Sequence, residues 1–252
     1  MTKADVLYLA LIAIGLLIDS LVLWPSFLRR SESEPARARV WLWSTWIALL
    51  WTLVAGGAAL WTLDGRSWTA LKFVAPHGWG ILGMIGLLLA VAIFYARRVA
   101  AIGRARRSNK RIKFPKDVAR RAPHTRAELA WWMALSASAG FCEEVIFRGY
   151  LIWVLQPILG LWLAAAASLI VFALAHAYQG AKGVGLVGVV GLLFTLIVLV
   201  FGSLVPAIAA HILADAGEGF VAWLALRGVP VGNDGMSGLS KSVSAGPNCQ
   251  PG

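Results

Sequence analysis

The chain has 252 residues, a formal net charge of +11, 59% hydrophobic side chains and only 14% charged ones. Soluble domains carry charge at roughly 25% of positions and keep polar faces on their helices, so this composition excludes an ordinary water-soluble enzyme. Thirteen tryptophans point the same way, because Trp gathers at membrane–water interfaces. The expected fold class is all-α, a polytopic transmembrane helical bundle of about seven spans, with six to eight as the range that apolar run lengths allow.

The first span is expected over residues 6–28, interrupted by Asp19, which reads as an inward-facing polar contact in the bundle. No small-residue cleavage site follows this run, so it reads as a retained span rather than a removed signal. Arg29, Arg30, Arg37 and Arg39 come next, diluted by Glu32 and Glu34. Residues 40–63 are 24 positions without a charge, more than the roughly 20 that cross a bilayer. A polar turn, Asp64-Gly65-Arg66, and a half-polar stretch lead to a third span at 78–96.

Twelve of the 23 Lys and Arg residues then fall between Arg97 and Arg126. Between two spans, such a stretch reads as a cytoplasmic loop touching anionic lipid rather than as a nucleic-acid surface. Thr125-Arg126-Ala127-Glu128 is a capping box that starts the fourth helix. That helix is expected to reach about residue 155, where Gln156-Pro157 and Gly160 end it, since proline cannot continue the hydrogen-bond ladder. A fifth helix is expected at 161–178. Residues 183–210 carry no charge, and Ser203 and Pro206 divide them into a sixth helix and the start of a seventh, which continues to about residue 226. Beyond it Gly, Ser, Pro and Asn dominate, a composition that cannot bury enough surface to fold alone. The expected parts are a three-span segment (1–96), a basic loop (97–126), a four-helix core (127–226) and a disordered tail (227–252). Because basic loops face the cytoplasm, the N-terminus is expected outside and the C-terminus inside.

Ionisable groups at membrane depth are costly unless paired or used, and they fall on three helices of the core. Glu144 and Arg148 are four residues apart and share a helix face, so they can neutralise each other. Glu143 points about 100° away and is left to act. Phe172 and His176 are four apart, as are His211 and Asp215, with Glu218 three further on the same face. Singly, each has a structural reading: a satisfied interhelical hydrogen bond for a histidine, an ion pair for Glu144–Arg148. Together they outline a polar pocket able to hold water. The two cysteines, Cys142 and Cys249, give neither metal-ligand spacing nor a disulfide framework, and apolar packing is the usual fate of a residue such as Cys142.

Three motifs in this stretch resemble the CAAX prenyl protease and bacteriocin-processing (CPBP, or Abi) family of intramembrane endopeptidases. They are Glu143-Glu144-x-x-x-Arg148 with Gly149 and Leu151, Phe172-x-x-x-His176, and Ser203-Leu204 followed by His211-x-x-x-Asp215, where the family has Asn or Asp. The resemblance covers roughly residues 127–226. It implies hydrolysis of a peptide bond in or near the membrane, in a peptide or protein substrate. Glu143 and His176 would activate a water, while His211 with Asp215 would stabilise the oxyanion. Glu144, Arg148 and Phe172 would support the site. It further implies a multi-pass protein of a prokaryotic cytoplasmic membrane with no nucleic-acid partner. No cofactor is required on this reading, although a divalent metal such as zinc, held by Glu143, His176 and His211, is a reading the family has also received. The strong His-Glu-x-x-His zinc signature is absent. Two other classes stay open: a non-catalytic binding or immunity protein on the same scaffold, and a small proton-coupled transporter.

Overall fold

The computed structural model describes residues 1–108 and 116–227. Among them the chain forms eight helices and no strand. They are α1 (Lys3–Ser33), α2 (Pro35–Leu63), α3 (Trp79–Arg107), the short α4 (Lys116–Arg121), α5 (126–159), α6 (Leu161–Ala175), α7 (Gly180–Phe201) and α8 (Val205–Leu226). Five of these, α1, α2, α3, α7 and α8, are long and apolar enough to cross a membrane. Along α3 the side chains of Ile81, Leu82, Ile85, Leu89 and Ile93 lie on the surface. Such a face is costly in water and costs nothing against lipid tails.

Several helix bounds depart from expectation. The fourth expected helix, α5, runs to Leu159 with Pro157 inside its last turn, and Gly160 at φ +76° ends it. That left-handed region is open to glycine and closed to most side chains, so Gly160 rather than Pro157 is the terminator. The fifth ends at Ala175 and is followed by a 3-10 turn, Ala177–Gln179, instead of reaching 178. At about 1.5 Å per residue its 15 residues rise to about 22 Å, less than the ~30 Å of a hydrocarbon core. The tail at 228–252 and the middle of the basic loop at 109–115 lie outside the described residues.

Two stretches widen from α- to π-helix, Asp19–Leu23 in α1 and Glu144–Leu151 in α5. In α1 the cause is local. Pro25 cannot donate to the carbonyl a turn before it, and the chain loosens just upstream, where the Trp24 N–H reaches back to the Asp19 carbonyl. In α5 the Phe147 carbonyl accepts from the Ile152 backbone N–H five residues on and also from Ser168 Oγ of α6 at 2.6 Å. π-Turns of this kind recur at functional sites.

α5 packs against α2 on one side and α8 on another, and its second half meets α6. The main apolar cluster joins α1, α2, α5 and α6 through Tyr8, Trp61, Ile146, Tyr150 and Phe172. Polar contacts gather at the two ends. At one end, Arg39 of α2 donates from Nε and Nη2 to Glu128 Oε1 at 3.1 and 2.7 Å, and both side chains are buried. The expected capping box is present, with Glu128 Oε2 accepting from the Thr125 backbone N–H and from that of His124. Arg106 of α3 donates to the Arg227 carbonyl, and Arg121 of α4 to Gln179. At the other end, Asp5 of α1 is buried and receives Arg66 and the Tyr150 hydroxyl of α5, while Arg66 also pairs with Asp64 and lies over the rings of Trp61 and Trp153.

Candidate functional site

The site forms where α5, α6, α7 and α8 meet. Glu144 and Arg148 pair as their spacing predicts, with Arg148 Nη1 3.0 Å from Glu144 Oε1. The pair is not closed on itself, however. His211 Nδ1 donates to the same Glu144 oxygen at 2.9 Å. Arg148 has further outlets in the Gly191 carbonyl at 3.0 Å and Thr195 Oγ1 at 3.4 Å on α7. Its guanidinium lies 4.0 Å from the centre of the Phe172 ring. This cation therefore meets a carboxylate, a carbonyl, a hydroxyl and an aromatic face, which is how a buried charge stays in a low dielectric.

The backbone makes these approaches possible. A Cβ at Gly191 would lie 2.8 Å from the Phe172 ring and 3.0 Å from Arg148 Nη2. Across the α5–α8 contact a Cβ at Gly140 would lie 2.8 Å from the Ile212 backbone nitrogen, next to His211. Trp132 of α5 donates from Nε1 to the Asp215 carbonyl at 2.9 Å, which sets the register of α8 against α5.

With Nδ1 committed to Glu144, His211 presents Nε2 to the remaining acids. Nε2 is 3.9 Å from Glu143 Oε2 and 3.6 Å from Asp215 Oδ2. The side chains open outward in that order: Glu144 is 0% exposed, His211 6%, Glu143 15% and Asp215 40%. Glu143 is thus the freer of the two adjacent glutamates, as its position around the helix predicts. The His211 ring stacks on Phe194 with centroids 4.6 Å apart.

His176 follows the last residue of α6. Its Nδ1 donates to the Phe172 carbonyl at 2.9 Å, which leaves Nε2 as the nitrogen with a lone pair. Phe172 connects the two histidines, 4.9 Å from the His176 ring and 6.4 Å from that of His211. Ser203 and Leu204 stand apart from the acids. Ser203 Oγ donates to the Val74 carbonyl and accepts from the Val205 N–H, and the Leu204 N–H donates to the Lys72 carbonyl, so they tie the start of α8 to the segment between α2 and α3.

Glu218, on the same face of α8 as Asp215, serves helix packing: the Tyr95 hydroxyl and Arg98 of α3 take its carboxylate. Sequence reading missed Thr195 and Phe194. Thr195 has a signal, since it and Ser203 are the two hydroxyl side chains in the uncharged run of 183–210. Phe194 has none among so many apolar neighbours.

Among the described residues no group of three His, Cys, Asp or Glu side chains is placed to hold a metal ion, and of the set Glu143, His176 and His211 read for zinc, His211 spends its Nδ1 on Glu144. No curated protein and no solved structure matches the chain. Residues 125–217, which hold the Glu-Glu-x-x-x-Arg, Phe-x-x-x-His and His-x-x-x-Asp groups just described, match the family model for Type II CAAX prenyl endopeptidase Rce1-like proteins and so constitute a domain of that type within the chain.

Proposed function

We propose that this chain is an intramembrane endopeptidase that hydrolyses a peptide bond of a membrane-associated peptide or protein. The observation that carries this reading is the arrangement around His211: one nitrogen fixed on the buried Glu144–Arg148 pair, the other 3.6 and 3.9 Å from two partly open carboxylates. Those separations exceed a direct hydrogen bond and suit groups that share an intervening oxygen. Glu143 takes a proton from water as its oxygen attacks the scissile carbonyl carbon, with the Nε2 lone pair of His176 assisting. The carbonyl becomes an oxyanion, which needs fixed donors. His211, protonated on both nitrogens, donates the Nδ1 hydrogen bond to Glu144 and offers its Nε2–H to the oxyanion, with Asp215 orienting it. As the C–N bond breaks, Glu143 returns its proton to the leaving amine. Residues 127–226 are the catalytic core in this reading, and residues 1–96 brace it from outside. The clustering of Arg39, Arg106 and Arg121 contacts at one end supports seven crossings, counting α5 and α6, with that end cytoplasmic, the N-terminus outside and the C-terminus inside. The setting is a prokaryotic cytoplasmic membrane.

The test is direct. Purified wild type and Glu143→Gln are incubated with membrane-spanning peptides in detergent, and products are mapped by mass spectrometry. Wild type is expected to release defined fragments and the variant none, with both melting alike. Equal turnover by the two would remove Glu143 from the chemistry and this mechanism with it. Absence of products from wild type across the peptide set favours the binding-protein class.

A further inference from the structure

Asp19 lies in the middle of an otherwise apolar helix, and a carboxylate there survives only if something uses it. No Lys or Arg among the described residues lies within ion-pair distance. Its partner is an indole: Trp46 Nε1 of α2 donates to Asp19 Oδ1 at 2.6 Å. The π-turn that begins at Asp19 widens α1 at this residue. The Trp46 ring in turn lies against Tyr178, with centroids 5.5 Å apart, and Trp24 of α1 packs on Tyr178 at 4.8 Å. Tyr178 belongs to the 3-10 turn that follows His176, and the two rings are 5.9 Å apart. Arg121 covers the Tyr178 ring at 5.6 Å and donates to Gln179.

A three-residue 3-10 turn has little stability of its own, so packing must decide where this one sits. An indole bonded to a carboxylate is held more firmly than one bonded to a neutral acceptor. We infer that Asp19 is a positioning residue of the site: through the Trp46 indole and the Tyr178 ring it fixes the Ala177–Gln179 turn, and with it the direction of the His176 ring. The inference deepens the endopeptidase reading and rests on it for its kinetic arm alone.

The experiment compares wild type, Trp46→Phe, Asp19→Leu and Asp19→Asn. Each is measured for kcat and KM on a cleaved membrane peptide. Each is also treated with diethyl pyrocarbonate, and modification of each histidine is mapped by mass spectrometry and normalised to the exposed His77. Trp46→Phe and Asp19→Leu remove the same hydrogen bond from opposite ends. Both are expected to lower kcat about tenfold with KM unchanged, the scale on which misplacing a reacting group acts. Both should also raise modification of His176 while His211 stays as in wild type. Asp19→Asn, whose amide oxygen still accepts from the indole but less firmly, should place both readouts between those of wild type and Asp19→Leu. If Asp19→Leu does not fold, Trp46→Phe decides. Unchanged His176 reactivity in Trp46→Phe overturns the inference, as does a parallel rise at His176 and His211, which would mean general loosening. If wild type cleaves nothing, the endopeptidase reading fails on its own, and the histidine map still decides the role of Asp19.

Discussion

At Glu144 one carboxylate oxygen accepts from both Arg148 and His211, and its other oxygen is buried with no hydrogen-bond partner among the described residues. Removing either member of the pair strands a charge in low dielectric, which costs about 3–5 kcal/mol. Glu144→Ala and Arg148→Ala are therefore expected to lower both the yield of folded protein and the melting temperature in detergent. If both melt like wild type while cleavage falls, the pair belongs to the chemistry rather than the scaffold. Asp215 is the opposite case. Its side chain is open and its Oδ2 is 3.6 Å from His211 Nε2, so an amide of the same shape can still orient that ring. Asp215→Asn is expected to keep cleavage within about tenfold of wild type, or about 1.4 kcal/mol of barrier. A chelator is expected to leave wild type unchanged. A dead variant together with a chelator-sensitive wild type would mean a metal ligand at this position, since a neutral amide binds a cation far less well than a carboxylate.

Between elements, the decisive contact is the crossing of α5 and α8. Gly140 lets the two backbones approach until a Cβ there would lie 2.6 Å from Ile212 Cγ1 and 2.8 Å from its backbone nitrogen. Neither can yield without moving α8, and His211 is the preceding residue. Overpacking of this sort costs about 1–3 kcal/mol. Gly140→Ala is expected to lower the melting temperature by that measure and to lose most of the cleavage activity, since the His211 Nδ1 to Glu144 bond of 2.9 Å has little slack. A Gly140→Ala protein with wild-type turnover would show that α8 can shift without disturbing the site.

Over the whole molecule, the basic residues and the helix ends they touch define one face. Arg39 at the start of α2 reaches the start of α5, Arg106 at the end of α3 the end of α8, and Arg121 at the end of α4 the turn after α6, so six helix termini are joined in three pairs. If that face is cytoplasmic, a cysteine placed at Ser108, just past the end of α3, in a Cys142→Ala, Cys249→Ser background should resist an impermeant thiol reagent in intact cells and react in inverted vesicles. Labelling from outside would invert the proposed topology.

How much of this was readable beforehand follows from the range of the forces involved. The apolar runs, the capping box at Thr125 and the pairing of Glu144 with Arg148 depend on residues within a few positions of one another, and fixed helical geometry carries them from sequence to structure. The separation of Glu143 from Glu144 follows for the same reason. What only the tertiary structure decided are the choices among partners far apart in the chain: His211 on Glu144 as well as near Asp215, Glu218 on Arg98 of α3, Arg39 buried on Glu128 rather than free in a basic loop. Periodicity shows which face a residue occupies and leaves open which helix comes to that face. Both π-turns were also hidden, because a single extra residue in a turn leaves the apolar pattern almost unchanged, while it moves the direction of every side chain beyond it. Asp19 shows the limit most plainly: its sequence shows a costly carboxylate, and only the packing of α2 and the turn after α6 supplies the indole it holds and the ring it steadies.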